Sequence, residues 1–151
     1  MKHIKTYKIF ENKDNSDIIK ELEKYNIRNY TINNDGTIDV DGNVDLYYRR
    51  LTKIPFKFGN ITGNFDCSYN KLKDLIGGPQ EVGGNYICYS NKLESLEGCA
   101  GDIGGMLHCN NNQLEMLDCS SVINGNIYCN GNGFKEEPEF FGICGGKINW
   151  E

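Results

Sequence analysis

The sequence is poor in the residues on which most catalytic and metal sites depend. It contains only two histidines, His3 and His108, and no Cys-X-X-Cys pair among its seven cysteines. No stretch approaches the roughly 18 consecutive apolar residues of a membrane span, and the N-terminus lacks the apolar core of a secretory signal. We therefore expect a soluble cytoplasmic protein with no membrane partner, no metal and no cofactor.

Positive charge is also scarce. The 151 residues include 16 Lys and Arg against 21 Asp and Glu, which gives a net charge of −5. Binding to the phosphate backbone depends on clustered cations, so a nucleic-acid partner is not expected. The chain length fits one domain of about 150 residues.

What the sequence has instead is a repeat. Cys67, Cys88, Cys109 and Cys129 are 21, 21 and 20 residues apart, and each is followed three residues later by an asparagine. A fixed period of this size is typical of stacked repeats. Residues 42–54 fit the same frame with Leu46 in the cysteine column, and residues 145–150 restart it.

Each unit has an apolar residue two positions before the cysteine. An asparagine follows the cysteine by three positions, a leucine by five and a second leucine by eight. Over residues 42–150 this resembles the leucine-rich-repeat pattern, with cysteine in one leucine slot. The resemblance implies a mainly β, α+β fold: a short solenoid of about five coils with parallel strands and an extended return segment. The Asn-, Gly- and Cys-rich units, preceded by the acidic hairpin sequence of residues 34–42, are also similar to uncharacterised repeat proteins of large tailed bacteriophages, which implies a phage-encoded protein in the host cytoplasm.

The recurring residues have predictable structural tasks. Strand residues two apart share a face, so Phe65 and Cys67, with their equivalents in other coils, should form the core. Ile61, Leu72 and Leu75 and their equivalents should fill the interior where the chain turns. The strand-end amides can pair backbone groups that a bending chain leaves free, which predicts a stacked asparagine ladder of Asn70, Asn91, Asn112 and Asn132.

The cysteine column predicts packing rather than bonding. Buried free thiols behave as small hydrophobic groups, and an odd number of cysteines fits a reducing compartment. We interpret Cys67, Cys88, Cys109 and Cys129 as structural thiols; disulfides and a metal site are the alternatives.

Residues 1–41 differ from the repeats. A one-sided apolar pattern predicts a helix over 15–26, with Asn15 or Ser16 as N-cap and Asn26 as the stop. Alternation over 30–32 and 37–40, with Asp-Gly turns at 34–36 and 41–42, predicts a hairpin. We expect residues 1–41 to form an N-terminal arm, helix and hairpin that cap the solenoid of residues 42–151, whose own C-terminal end suits a closing cap, within one structural unit.

Residues 1–11 resemble the capsid-targeting peptides on internal head proteins of large tailed phages, through Lys5-Thr6-Tyr7 and Phe10. The resemblance implies an alternative role as a virion-associated internal or decorating protein. A terminal arm packed on the cap is the other interpretation of the same residues.

Catalysis is not expected. His108 and Cys109 are consecutive strand residues that point to opposite faces, and the Gly-Gly pairs lack the Lys-Ser/Thr ending of a phosphate loop. A protein-binding surface fits better, because tyrosine and asparagine are common where proteins bind. The predicted partner-binding residues, on the concave strand face, are Asp45, Tyr47, Tyr48, Asp66, Ser68, Tyr69, Ile87, Tyr89, Met106, His108, Asn110, Tyr128 and Asn130.

The sequence thus predicts a non-catalytic protein–protein interaction module that binds or inhibits a host protein through this face. The virion role is the alternative. The acidic repeat region supports a third hypothesis, imitation of nucleic acid.

Overall fold

Each repeat folds into two short strands joined by a glycine-containing corner. The computed structural model describes residues 15–151 and shows a mainly β solenoid of about five turns, preceded by one short helix, α1 (Ser16–Lys24). The strands are β1 (Tyr30–Ile32), β2 (Ile38–Val40), β3 (Val44–Asp45), β4 (Phe58–Ile61), β5 (Phe65–Asp66), β6 (Glu81–Val82), β7 (Tyr86–Ile87), β8 (Asp102–Ile103), β9 (Leu107–His108), β10 (Val122–Ile123), β11 (Ile127–Tyr128), β12 (Ile143–Cys144) and β13 (Ile148–Asn149).

The strands form two sheets that run along the solenoid. A seven-stranded sheet has the order β1-β2-β4-β6-β8-β10-β12, and a six-stranded sheet has the order β13-β11-β9-β7-β5-β3. Neighbours from consecutive coils pair in parallel, and β1 alone pairs antiparallel, with β2, among the strands described. The predicted parallel repeat of about 21 residues is confirmed, and Ile127 pairs with Ile148 as the frame requires.

The seven-stranded sheet is the main feature that the sequence analysis missed. The repeat pattern places Ile61, Val82, Ile103 and Ile123 only in the turning part of each coil. These residues are buried strand residues, each paired in parallel with its equivalent in the next coil. Strands two residues long show no alternation that a sequence pattern can reveal.

The core is one continuous hydrophobic cluster formed by side chains from both sheets. Cys67, Cys88, Cys109 and Cys129 are all 0% exposed, and every cysteine of the chain is a free thiol. Edge-on ring contacts join Phe58 to Phe65 at 5.5 Å and Phe65 to Tyr86 at 5.0 Å between centroids. The cysteines therefore fill space beside large aromatic residues, as expected for packing thiols.

The N-terminal elements match their predicted positions. Helix α1 buries Leu22, and Asn26 follows it with a φ of 55°, the left-handed conformation that stops a helix. The turn at 34–36 joins β1 to β2 as a hairpin. The Asp-Gly pair at 41–42 does not form a hairpin: it joins β2 to β3 in the other sheet, so the prediction for that turn is wrong.

The C-terminal segment forms another coil. Strands β12 and β13 extend both sheets, while Phe141 and Ile143 remain 78% and 65% exposed. Residues 1–11, for which the resemblance implies a targeting peptide, lie outside the described residues. Within the described range, no helix has the length and apolar composition needed to cross a bilayer.

Candidate partner-binding surface

The six-stranded sheet brings most of the predicted binding residues to one outer face. Asp45, Asp66, Ile87, His108 and Tyr128 occupy one register position in consecutive strands. Their strand neighbours on either side are buried, so this row faces away from the core. A second row lies two residues further along each coil and consists of Tyr47, Ser68, Tyr89, Asn110 and Asn130.

Four tyrosines form a contiguous patch at the N-terminal end of this face, which we call the tyrosine cluster: Tyr47, Tyr48, Tyr69 and Tyr89. Ring centroids are 6.0 Å apart between Tyr47 and Tyr48, 5.4 Å between Tyr47 and Tyr69, and 5.3 Å between Tyr69 and Tyr89. Tyr48 is 64% exposed, Tyr47 46% and Tyr69 45%. The rings therefore support one another while presenting much of their surface to solvent.

Two members of the tyrosine cluster occupy a costly backbone conformation. Tyr48 and Tyr69 have φ values of 53° and 55°, in the left-handed region that bulky residues rarely adopt. The equivalent positions in later coils adopt the same conformation with Ser90, Asn111 and Gly131, of which asparagine and glycine enter it more readily than tyrosine. The first coils thus keep large exposed rings where the local backbone favours asparagine or glycine.

Two carboxylates lie beside the tyrosine cluster. Asp45 Oδ1 accepts the Tyr47 N–H at 2.9 Å, and Asp66 Oδ1 accepts the Ser68 N–H at 2.9 Å. Asp45 and Asp66 are register partners, so their strands are about 4.8 Å apart. In the described part of the chain neither carboxylate forms an ion pair. This end of the outer face therefore combines aromatic rings with two carboxylates.

Ser68 departs from the prediction. Its side chain is 0% exposed, and its hydroxyl donates to Asp66 Oδ1 at 2.5 Å. In the second row Ser68 lies between Tyr47 and Tyr89. Its side chain is much smaller than theirs, so it does not reach the surface that they form. The expectation that Ser68 is open to a partner is wrong; the residue orients the Asp66 carboxylate.

The C-terminal half of the outer face is neutral. His108 stacks on Tyr128 with centroids 4.8 Å apart and planes 15° apart. Burial lowers the pKa of His108, against a smaller opposing effect of the Asp66 charge, so the imidazole is neutral at pH 7. Met106 is 37% exposed, and Ile87 is half-buried. This half offers apolar and hydrogen-bonding contacts without charge.

The strand-end asparagines make hydrogen bonds between coils. Asn112 Nδ2 donates to Cys88 O at 3.1 Å and Cys109 O at 3.0 Å, while its Oδ1 accepts the N–H groups of Asn91 and Leu93, both at 3.1 Å. Asn70, Asn91 and Asn132 likewise donate to carbonyls of their own and the preceding coil. The amides sit beneath the edge of the outer face and fix the turn that follows each strand.

A second set of asparagines joins the coils at the opposite end of the strands, and the sequence analysis missed it. Asn64 Oδ1 accepts the Asn85 N–H at 2.7 Å, and Asn85 Oδ1 accepts the Met106 N–H at 2.9 Å. Gly84 must lack a side chain because the Asn64 amide oxygen occupies the space of its Cβ. The recurring Gly-Asn pair at 42–43, 63–64, 84–85 and 125–126 was the available signal.

Among residues 15–151 there is no group of three or more His, Cys, Asp or Glu side chains arranged to hold a metal ion. In comparisons with known proteins, no family model, curated protein or solved structure matches the chain. The outer face is therefore the candidate functional site.

Proposed function

We propose that the chain is a non-catalytic protein–protein interaction module whose tyrosine cluster, with Asp45 and Asp66, binds a host protein. The observation that carries the proposal is the contiguous set of exposed tyrosine rings, two of them held at left-handed backbone positions. The repeat sets this left-handed corner in every coil, and the local structure does not require tyrosine there, since later coils use asparagine or glycine.

The chemistry of this end suggests which surface it binds. Tyrosine provides a large rigid contact area at a small cost in side-chain entropy. Unpaired carboxylates at Asp45 and Asp66 would form charge-assisted hydrogen bonds with arginine or lysine, and the ring faces would attract the same cations. We therefore expect the partner to present a basic segment to the tyrosine cluster.

The rest of the outer face completes the interface. Stable interfaces bury roughly 800 Å² on each partner, more than three strands about 4.8 Å apart can supply. Ile87, Met106, Asn110, Asn130 and the His108–Tyr128 stack extend the surface across the following coils. Their neutral, weakly apolar character suits the periphery of a contact whose anchors are the tyrosines.

The scaffold has its own proposed organisation. We infer that the inter-coil asparagine bonds act as a stabilising ladder and that the coils are of the leucine-rich-repeat kind. Helix α1 and strand β1 cover the first coil, since Leu22 is buried and the Tyr25 ring lies edge-on to Phe56 at 5.7 Å. A solenoid needs such a cap because an open end exposes apolar surface and a strand edge.

The test uses substitutions that remove rings without disturbing the backbone. Tyr48→Asn and Tyr69→Asn place a residue that tolerates positive φ at each position, so the double variant should fold at least as stably as wild type. Affinity capture from host-cell lysate, with mass spectrometry, should show a stoichiometric protein retained by wild type and lost from the double variant. Met116→Asn is the matched control, because Met116 is 62% exposed away from the tyrosine cluster.

Equal capture by wild type, control and double variant would contradict the proposed surface. A captured protein whose binding falls steeply with salt but is retained by the double variant would favour nucleic-acid imitation, because binding of that kind depends on many charge contacts and not on the tyrosines. Proteomics of purified particles tests the virion role: high copy number there, with no captured partner, would replace the proposal.

A further inference from the structure

Two cysteines outside the core column lie side by side on neighbouring coils. Cys99 and Cys119 each stand three residues before a strand, β8 or β10, and those strands pair in register. The alignment extends upstream of the strands, because Ser121 Oγ donates to Ala100 O at 2.6 Å. Parallel neighbours are about 4.8 Å apart, within the range of roughly 4.4–6.8 Å between Cα atoms that a disulfide spans.

These cysteines lie closer to the surface than the column cysteines. Cys99 is half-buried and Cys119 is 9% exposed, and both line a cleft of about 260 Å³. Cys88 and Cys109 are also on neighbouring coils, yet both are 0% exposed in the core. Access, rather than spacing, therefore distinguishes the Cys99–Cys119 pair.

The two thiols have different acidities. A hydrogen bond from the Cys99 side chain is the main reason that the pKa of Cys119 is lowered to about 7, with help from the hydroxyl and N–H of Ser121 and opposition from burial and the Asp118 charge. The same hydrogen bond, together with burial, raises the pKa of Cys99. Cys119 is therefore the more acidic member of the pair and the one better suited to act as the nucleophile.

We propose that Cys99 and Cys119 form a redox-sensitive dithiol, which a hydroperoxide converts into a disulfide between neighbouring coils. The Cys119 thiolate attacks the peroxide, an S–O bond forms as the O–O bond breaks, and the alcohol or water leaves after protonation. The Cys99 sulfur then attacks the Cys119 sulfenic acid; the S–S bond forms and water leaves with the Cys99 proton. Two thiols and one peroxide give one disulfide, one alcohol or water, and one further water.

The experiment treats the folded, full-length protein with hydrogen peroxide at neutral pH, followed by intact-mass measurement and peptide mapping. We expect a loss of two hydrogens, a fall from seven to five titratable thiols, and a linked peptide pair containing Cys99 and Cys119. Cys99→Ser should stop the disulfide and leave a sulfenic acid on Cys119 that dimedone traps. Circular dichroism confirms that each variant is folded.

The matched control is Cys144→Ser, which removes the other half-buried thiol outside the column and should leave the reaction unchanged. Three results for the disulfide would overturn the proposal: no disulfide in wild type, a disulfide between other cysteines, or a disulfide that persists in Cys99→Ser. A fourth concerns reactivity. The proposal fails if dimedone labels Cys99 in the Cys119→Ser variant as fast as it labels Cys119 in the Cys99→Ser variant.

Discussion

Replacement of Asn112 tests how the coils are held together. Asn112→Ala would leave the N–H groups of Asn91 and Leu93 without their acceptor, whereas Cys88 O and Cys109 O would each lose one of two amide donors and keep Asn91 or Asn132. An unsatisfied buried polar group costs about 1–3 kcal/mol. Because water of about 30 Å³ can enter part of the vacated space, we expect a net loss of about 3 kcal/mol in the free energy of unfolding.

The matched control is Asn110→Ala. In the described structure the Asn110 side chain is half-buried and makes no hydrogen bond, although it lies only two residues away. Its replacement should change stability by less than about 0.5 kcal/mol. Urea unfolding followed by circular dichroism measures both variants, with an unchanged slope expected. Equal losses for the two variants would refute the reasoning.

Asn112→Asp sharpens the test. A carboxylate cannot donate to Cys88 O and Cys109 O, so the folded state should disfavour its ionisation and raise the pKa of the introduced carboxyl. The variant should therefore be more stable relative to wild type at pH 5 than at pH 7, because a carboxyl with a raised pKa loses stability as pH rises. A difference from wild type that does not change with pH would show that the amide makes no such donations.

Three further predictions concern the core and corners. The Tyr86 hydroxyl is buried without a hydrogen-bond partner in the described residues, so Tyr86→Phe should raise the free energy of unfolding by about 1–2 kcal/mol in urea titration; a decrease would reveal a bond. Gly84→Ala should lower the free energy of unfolding by about 2 kcal/mol, because the new Cβ would meet the Asn64 amide. Gly101→Ala is the control and should leave stability unchanged or raise it, because the nearest atom to its Cβ would be 3.8 Å away. Equal midpoints of the two variants in thermal melts would contradict this prediction. Burial raises the pKa of Cys109 well above its usual range, so this thiol ionises only when the protein is unfolded. The free energy of unfolding should therefore fall above about pH 9, and it should fall less steeply in Cys109→Ala. Identical pH profiles for the two proteins would show that the thiol is not buried.

The sequence predicted the parts of the fold that carry large, regularly spaced side chains. Phe65, Tyr86 and Leu107 recur at the same position relative to the cysteines. An apolar side chain missing from one coil would leave a cavity between the two coils on either side of it. The seven-stranded sheet was missed because it depends on backbone pairing between coils. No pattern within a single two-residue strand reports that pairing.

The outer face was predicted in outline but not in detail. Alternation correctly placed Asp45, Asp66 and His108 opposite the core, since it follows from strand geometry alone. The burial of Ser68 depends on the size of its neighbours in adjacent coils, which a linear pattern does not show. The left-handed backbone at Tyr48 and Tyr69 was also hidden, because tyrosine gives no propensity signal for positive φ.

The most direct test of the proposed function is site-specific photo-crosslinking from the tyrosine cluster. A benzophenone amino acid replaces Tyr47 in one protein and Met116 in another, since both side chains are exposed, at 46% and 62%. After irradiation in host-cell lysate, we predict one major protein adduct from position 47 and no such adduct from position 116. Unlabelled wild type should compete this adduct away, whereas the Tyr48→Asn/Tyr69→Asn variant should not. Adducts of equal yield from both positions, or none from position 47, would contradict the account.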